Sequence, residues 1–180
     1  MIKCSICEFY WVLGKNAINV IKLNIKRKGE KMRGISFNLK NDYNKILSII
    51  FKDVDLAKYN WNISEDEVYL HNSDIPLFNK DFFNGNEFYN LISDQEYLVI
   101  AANIRAGFHK ETIPEMNDYN EFYHSQCQIN LFCTDVFYYE IYAKDKKVLE
   151  TIKSNCINNA FEKIEDITEE NDGRYRFTIT

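Results

Sequence analysis

The stretch from residue 127 to residue 159 constrains the fold more than any other part of the chain. Two runs rich in aromatic and β-branched residues lie on either side of Thr134 and Asp135, a pattern typical of a β-hairpin. After residues 144–146 the spacing of apolar residues changes from two to nearly four. This change predicts a helix directly after the hairpin. Its apolar face holds Val148, Leu149, Ile152, Cys156 and Ala160.

The alternation of side chains selects the register of the hairpin. A two-residue loop at Thr134 and Asp135 would mix polar and apolar side chains on both faces. A three-residue loop at 134–136 leaves one face of the hairpin wholly apolar. Because a one-residue slip of the register moves every side chain to the opposite face, burial of that apolar face favours the three-residue loop. Val136 is a poor occupant of the left-handed backbone common in such loops, and a bulge near Asp135 would relieve this. The predicted pairs are Cys133 with Phe137, Leu131 with Tyr139, and Ile129 with Ile141.

The opposite face of the hairpin is more polar. Besides Phe132, it carries a candidate interaction surface for a protein partner. Either a helix of the same chain or a partner would cover this face, and both remain open. The surface consists of Gln128, Asn130, Tyr138, Glu140 and Tyr142.

The rest of the chain alternates short strands with helices. One helix begins after Asn41 or Asp42, a second spans 82–92, and a third is capped by Asp118. The pattern predicts an α+β fold, a single domain with a largely antiparallel sheet and three to four helices. The predicted strands outside the hairpin are 33–39, 59–63, 67–71, 97–104, 161–167 and 174–180.

Residues 1–31 differ from the remainder in charge. They hold seven basic and two acidic residues, and since the whole chain carries −5, residues 32–180 carry −10. The segment ends in KRKGEK, which a purine-rich ribosome-binding sequence can encode just before Met32. We therefore expect Met32 to be the natural start and 1–31 to be an upstream extension; the alternative is a disordered basic arm. The CxxC of Cys4 and Cys7 has no second CxxC, which disfavours a metal or redox site.

The histidines and cysteines form no catalytic motif. Cys127 follows His124 by three residues, but a predicted helix end separates the two. No GxSxG, HExxH or glycine-rich phosphate loop is present, so we expect neither a metal nor a cofactor, and a non-catalytic role is favoured. The alternative function is a small-molecule-binding or enzymatic domain. Its site would lie near Trp61, His71 and Asp74.

The charge of −10 over residues 32–180 disfavours nucleic acid, because phosphate would be repelled. It suits a basic protein partner, although acidic surfaces also serve solubility alone. Five cysteines, an odd number, indicate a reducing compartment, and no apolar run is long enough for a membrane span. We therefore expect a cytoplasmic protein with no membrane contact.

Several motifs, taken in order, resemble a family of small bacterial proteins classed as a domain of unknown function. They are MRGISFNL, YNWNI, LFCTDVFYYEIYAKDK and ITEENDGRYRF. The resemblance covers residues 32–180 and implies a start at the equivalent of Met32. It implies no catalytic or binding residue, because the family has no assigned activity. From its charge asymmetry and the absence of a catalytic motif, and not from this resemblance, we expect the chain to be a small acidic interaction module.

Overall fold

The computed structural model describes residues 31–39, 44–111 and 113–179. The predictions for residues 1–30, including the CxxC of Cys4 and Cys7, lie outside the described residues. The same holds for the helix caps expected at Asn41 or Asp42.

The described strands form one antiparallel sheet of seven strands, in the order β3-β2-β4-β5-β6-β1-β7. Each pair of neighbours is antiparallel. The strands are β1 (Gly34–Asn38), β2 (Asn60–Leu70), β3 (Phe82–Asn84), β4 (Tyr97–Gly107), β5 (Cys127–Thr134), β6 (Tyr138–Ala143) and β7 (Glu162–Ile167).

Four α-helices complete the described fold, which is the α+β class that the sequence predicted. The helices are α1 (Ile46–Ile50), α2 (Gly85–Asp94), α3 (Tyr119–His124) and α4 (Lys146–Asn158). The Asp118 side chain caps α3 by accepting from the Glu121 N–H at 2.8 Å, as expected. Within the described ranges, no helix is long and apolar enough to cross a membrane.

The hairpin β5–β6 has the predicted faces but not the predicted pairs. Cys133 lies opposite Tyr139, so the register is shifted by two residues. A shift of two preserves the faces, because side chains alternate with a period of two. The left-handed backbone falls at Asp135 and Val136, with φ of 54° and 71°. The Val136 N–H donates to the Ile100 carbonyl at 3.0 Å, a bond to β4 that holds this conformation.

One continuous strand, β2, replaces the two short strands predicted at 59–63 and 67–71. The residues between them were expected to turn, but they form a bulge within the pairing of β2 with β4. Glu65 sits in this bulge with a φ of 50°. The bulge absorbs the local irregularity while β4 supplies backbone partners on both sides of it.

The helix predicted over 82–92 is divided. Its first residues form β3, and α2 begins at Gly85. Asn84 and Glu87 form a capping box, which is a strong helix start and explains the change of structure at this point. A Cβ at position 85 would lie 2.0 Å from the Leu56 carbonyl oxygen, so the backbones meet too closely for another residue.

Two predictions for the C-terminal part of the chain, at Ala160 and at residues 174–180, also differ from the structure. Ala160 lies beyond α4 with a φ of 54° and is exposed, so it does not belong to the apolar helix face. Residues 174–179 form no strand of the sheet; Phe177 makes an isolated bridge with Met116 instead. We call residues 171–179 the C-terminal segment.

The core lies on both faces of the sheet. Helices α1, α2 and α4 pack on the first face, where their buried residues join the apolar hairpin face in the larger cluster. Helix α3 and the C-terminal segment contribute to a smaller cluster on the second face. That cluster consists of Ile113, Met116, Phe122, Cys127, Phe132, Tyr142, Ile167 and Phe177.

Candidate interaction surface

The polar hairpin face proposed as an interaction surface is largely covered by the chain itself. Asn130 and Tyr142 are fully buried, and Glu140 is also buried. Gln128 and Tyr138 are half-buried. Of the two alternatives left open for this face, the chain itself covers the three central members, and only the margins reach solvent.

Phe177 of the C-terminal segment covers this face. Its ring centroid lies 4.7 Å from that of Tyr142, 5.4 Å from that of Phe132 and 5.6 Å from that of Phe122. Phe177 is fully buried among these rings. Full burial of a phenylalanine side chain contributes about 1.5–3 kcal/mol, which anchors the segment to the sheet.

A buried ion pair joins the segment to β6. The Nε atom of Arg174 donates to the Glu140 carboxylate, and both side chains are about nine-tenths buried. The Arg174 guanidinium also lies 4.0 Å from the centre of the Phe132 ring. The Tyr138 hydroxyl donates to the other Glu140 oxygen at 3.3 Å. Each charge is thus compensated by the other, as burial of an ion pair requires.

Asp172 makes a second connection of the same kind. It accepts from the Tyr142 hydroxyl at 2.8 Å and from Arg33 at 3.3 Å. The Arg33 guanidinium lies 4.3 Å from the Tyr119 ring centre, which extends the contact to α3. Burial, together with the Glu140 and Asp172 carboxylates, raises the pKa of Tyr142 far above its ordinary value. Tyr142 therefore stays a neutral hydrogen-bond donor.

A cleft of about 540 Å³ opens between the sheet and the C-terminal segment, and we call it the C-terminal cleft. Its floor includes Tyr138 and Glu140, the two candidate residues that the structure does bring together at an opening. Glu165 of β7 lines one side, and Arg174 and Tyr175 line the other. The remaining lining residues are Ser36, Ile167, Asn171, Gly173, Arg176 and Thr178.

Tyr175 stands between two clefts. Its side chain lines the C-terminal cleft and also a second cleft of about 480 Å³ beside Tyr119 and Tyr123. Tyr175 is 90% exposed, although its neighbour Arg174 is held in the buried ion pair. The backbone on either side of Tyr175 is therefore fixed while its ring projects into solvent.

A buried polar network lies further along the second face, on β4 and β5. Asn130 donates to the Asn103 side chain at 2.9 Å, and Asn103 donates to Glu65 at 3.3 Å. Glu65 also accepts from the Ile179 N–H at 2.7 Å, so the bulge of β2 holds the end of the C-terminal segment. Burial lowers the pKa of the Arg105 guanidinium, whose NH2 group donates to Ser64 at 3.0 Å.

The alternative ligand site is not assembled. Trp61 is fully buried and stacks on Phe88 with the ring centroids 4.1 Å apart. His71 follows the far end of β2, and Asp74 lies in the exposed loop beyond it. At about 3.3 Å per residue, roughly 30 Å of strand separates Trp61 from His71. These three residues cannot surround one ligand.

A further cleft contains none of the predicted site residues. It measures about 710 Å³ and lies between β3 and α2. Lys80 and Glu87 both line this cleft and form an ion pair, with the Lys80 Nζ atom 3.1 Å from the Glu87 carboxylate. Its lining residues include no histidine or cysteine.

The buried cysteines are unsuited to nucleophilic chemistry. Burial raises the pKa of Cys127, Cys133 and Cys156 to about 12, which keeps these thiols protonated. The Cys127 thiol donates to the Ile129 carbonyl at 3.1 Å, whereas the His124 ring contacts the Asn120 carbonyl at 2.8 Å. In the described parts of the chain, no group of three or more His, Cys, Asp or Glu side chains could hold a metal ion.

The sequence missed the residues that shape this surface. The pattern at 174–180 alternates as a strand would, which placed Phe177 and Tyr175 on one face. In the structure Phe177 is buried and Tyr175 is exposed. No local signal connects Arg174 with Glu140, since 34 residues separate them.

Comparison with known proteins gives a family but no activity. A family model described as "Protein of unknown function (DUF2691)" matches residues 32–178. The "Uncharacterized protein YncE" of Bacillus subtilis (strain 168) is 29% identical over 151 residues, which cover 82% of this chain and 99% of that protein. No solved structure matches the chain. The family match spans most of the sequence, and the chain therefore belongs to the DUF2691 family of proteins of unknown function.

Proposed function

We propose that this domain is a non-catalytic interaction module of the cytoplasm that binds a basic protein partner. Its contact surface is the C-terminal cleft together with the Tyr175 side chain. The exposed ring of Tyr175 is the observation that carries this proposal. A soluble domain gains no folding energy from an aromatic ring that is 90% exposed, whereas protein interfaces are enriched in such tyrosines.

Pre-organisation of the segment supports the same role. Phe177 and the Arg174–Glu140 pair hold the backbone on both sides of Tyr175. A partner would therefore meet a tyrosine that is already positioned, and little conformational entropy would be lost on binding. Tyr138 at the floor of the cleft adds a half-buried ring beside it.

The net charge of residues 32–180, and not an acidic lining of the cleft itself, favours a basic partner. The two arginines nearest the clefts are neutralised internally, Arg174 by Glu140 and Arg33 by Asp172. Glu165 at the margin of the cleft is exposed, and Arg176 is the exposed basic residue of the lining. With −10 on residues 32–180, the long-range field attracts cations and accelerates their encounter with the domain.

Affinity capture from bacterial extract tests the proposal. Immobilised protein should retain a basic protein at low salt and release it as the salt concentration rises, because screening weakens the long-range attraction. Tyr175→Ala should reduce capture by about tenfold or more, as expected for an interface hot spot. Tyr89→Ala is the matched control, since Tyr89 is 56% exposed on α2.

Two results would oppose the proposal. One is capture that responds equally to Tyr175→Ala and Tyr89→Ala, because it would locate binding away from the cleft. The other is retention of acidic or neutral proteins only, which would remove the role of charge. Mass spectrometry of the retained protein separates these results.

A further inference from the structure

The sheet ends in two edges of unequal length. Among the described strands, β3 at one edge has three residues, whereas β7 at the other has six and pairs with β1 alone. An edge strand presents backbone N–H and C=O groups that a further strand can bond. β7 is therefore the longer of the two edges at which another chain could extend the sheet.

The pairing of β7 shows which backbone groups face outward. Ser36 and Gly34 of β1 lie opposite Glu165 and Ile167. The Leu39 N–H donates to Phe137, so the odd-numbered residues of β1 bond β6 and the even-numbered ones face β7. Bonding alternates along an antiparallel strand. Glu165 and Ile167 consequently bond β1, and the N–H groups of Ile164 and Asp166 point to the open edge.

A bulge limits the regular part of this edge. Lys163 has a φ of 50°, and the register of β1 with β7 shifts at this point. The regular edge thus covers residues 164–167. The bulge is one of the devices that restrict indiscriminate pairing of sheet edges.

Charge determines which strand this edge accepts. Glu162 and Glu165 are exposed on β7, on either side of the exposed Lys163 at the bulge, whereas the Glu169 carboxylate beyond the strand is paired with Arg33 at 3.5 Å. A second copy of β7 whose Ile164 and Asp166 paired with Asp166 and Ile164 would place the two Glu165 side chains opposite each other, and like charges on adjacent strands are destabilising. A strand with lysine or arginine side chains would meet opposite charges instead. The edge therefore disfavours self-association and favours a basic strand.

The edge is continuous with the proposed contact surface. Glu165 and Ile167 of β7 line the C-terminal cleft, across which stands Tyr175. Side chains of a strand laid along β7 alternate between the two faces of the sheet. Those on the second face would project towards the cleft, where Glu165 and the Tyr175 ring provide a carboxylate and an aromatic contact for a cation.

We propose that β7 is a site of β-strand addition, at which an extended basic segment of a protein partner joins the sheet. This inference rests on the proposed function and specifies how the partner is recognised. The N–H and C=O groups of Ile164 and the N–H group of Asp166 supply hydrogen bonds, whereas the Asp166 carbonyl already accepts from the Asn171 side chain at 2.9 Å. Glu162 and Glu165 select a basic segment.

Amide hydrogen exchange measured by NMR tests the site directly. The probe is a synthetic peptide in which lysine and threonine alternate, and its control has glutamate in place of lysine. In the free protein, the Ile164 and Asp166 amides should exchange faster than those of Glu165 and Ile167. The lysine peptide should slow the first two by about tenfold or more and leave the others nearly unchanged. The glutamate peptide should have no effect.

Charge reversal supplies a second measurement. Glu165→Lys should weaken binding of the lysine peptide by about tenfold, which fluorescence anisotropy of a labelled peptide can measure. Glu67→Lys is the control, because Glu67 is an exposed strand residue of β2, on the other side of the sheet centre. Equal weakening by both variants would show attraction to net charge alone and would overturn the assignment of β7.

The outcomes separate this inference from the proposed function. A basic partner captured in a Tyr175-dependent manner, with no protection of Ile164 and Asp166 in its complex, would refute strand addition but leave the interaction module standing. Protection by the lysine peptide without any captured partner would support the edge site and count against the proposed function. Binding of the lysine peptide without the alternating protection would refute strand addition.

Discussion

The buried ion pair between Glu140 and Arg174 gives the sharpest test of how the C-terminal segment is held. Glu140→Gln removes one charge and leaves the Arg174 guanidinium buried without a counter-charge. Breaking a buried pair in this way destabilises a protein by about 3–5 kcal/mol. Both side chains retain about a tenth of their exposure, so we expect a loss near the lower limit, about 3 kcal/mol. The Arg174 contact with Phe132 keeps the guanidinium from simply moving into solvent.

Two further variants complete a double-mutant cycle. Arg174→Met leaves Glu140 unpaired and should destabilise the domain by a similar amount. The double variant removes both charges and substitutes an apolar side chain of comparable length, so its stability should lie within about 1 kcal/mol of the parent. The two single losses should therefore not add, and with about 3 kcal/mol for each single variant and at most about 1 kcal/mol for the double variant their coupling energy should reach about 5 kcal/mol.

Urea unfolding followed by circular dichroism measures these free energies, and amide exchange at Phe177 reports local release of the segment. Exchange at Phe177 should accelerate in both single variants and recover in the double variant. Single losses below about 1 kcal/mol that add in the double variant would refute the reasoning, since they would show an uncoupled surface pair. Accelerated exchange with unchanged global stability would show that the segment detaches before the sheet unfolds.

Three other expectations follow from burial. Phe177→Ala should reduce the free energy of unfolding by about 3–5 kcal/mol, whereas Tyr175→Ala in the same segment should change it by less than about 0.5 kcal/mol in urea titrations. Gly85→Ala should lower the free energy of unfolding by more than about 2 kcal/mol, because its Cβ would meet the Leu56 carbonyl. Gly173→Ala should be nearly neutral, because open space surrounds this position. Thermal melts of the two variants measure the difference in stability. Burial raises the pKa of each buried thiol from an ordinary value of about 8.5 to about 12, so the folded state holds its proton more tightly than the unfolded state does. The stability that this contributes is complete below about pH 8.5. Above that pH, the free energy of unfolding should fall by about 1.4 kcal/mol per pH unit and thiol until the pH reaches the folded pKa of about 12, as urea titrations at increasing pH would show.

Patterns that depend on neighbouring residues were readable from the sequence. The hairpin faces, the helix after the hairpin and the Asp118 cap were all confirmed. Strand alternation and helix caps are set within a few residues, so a local pattern carries them. The pairs themselves were wrong by two residues, because the Val136 N–H bonds Ile100 on another strand and relocates the loop.

Long-range contacts decided the rest. Whether β2 is one strand or two depends on β4, which pairs on both sides of the bulge at Glu65. The division of the predicted helix at Gly85 depends on the nearby Leu56 carbonyl as well as on the capping box.

The polar face of the hairpin separates what the sequence determined from what only the tertiary structure decided. Alternation alone identified Tyr138, Glu140 and Tyr142 as side chains of one face, because the pleat places every second residue together. Whether that face meets solvent depends on Phe177 and Arg174, which lie more than 30 residues further along the chain and reach the face only through tertiary contacts. A local pattern cannot encode such an encounter. Folding converted the centre of the expected binding surface into core, and it left the cleft and the Tyr175 ring facing solvent.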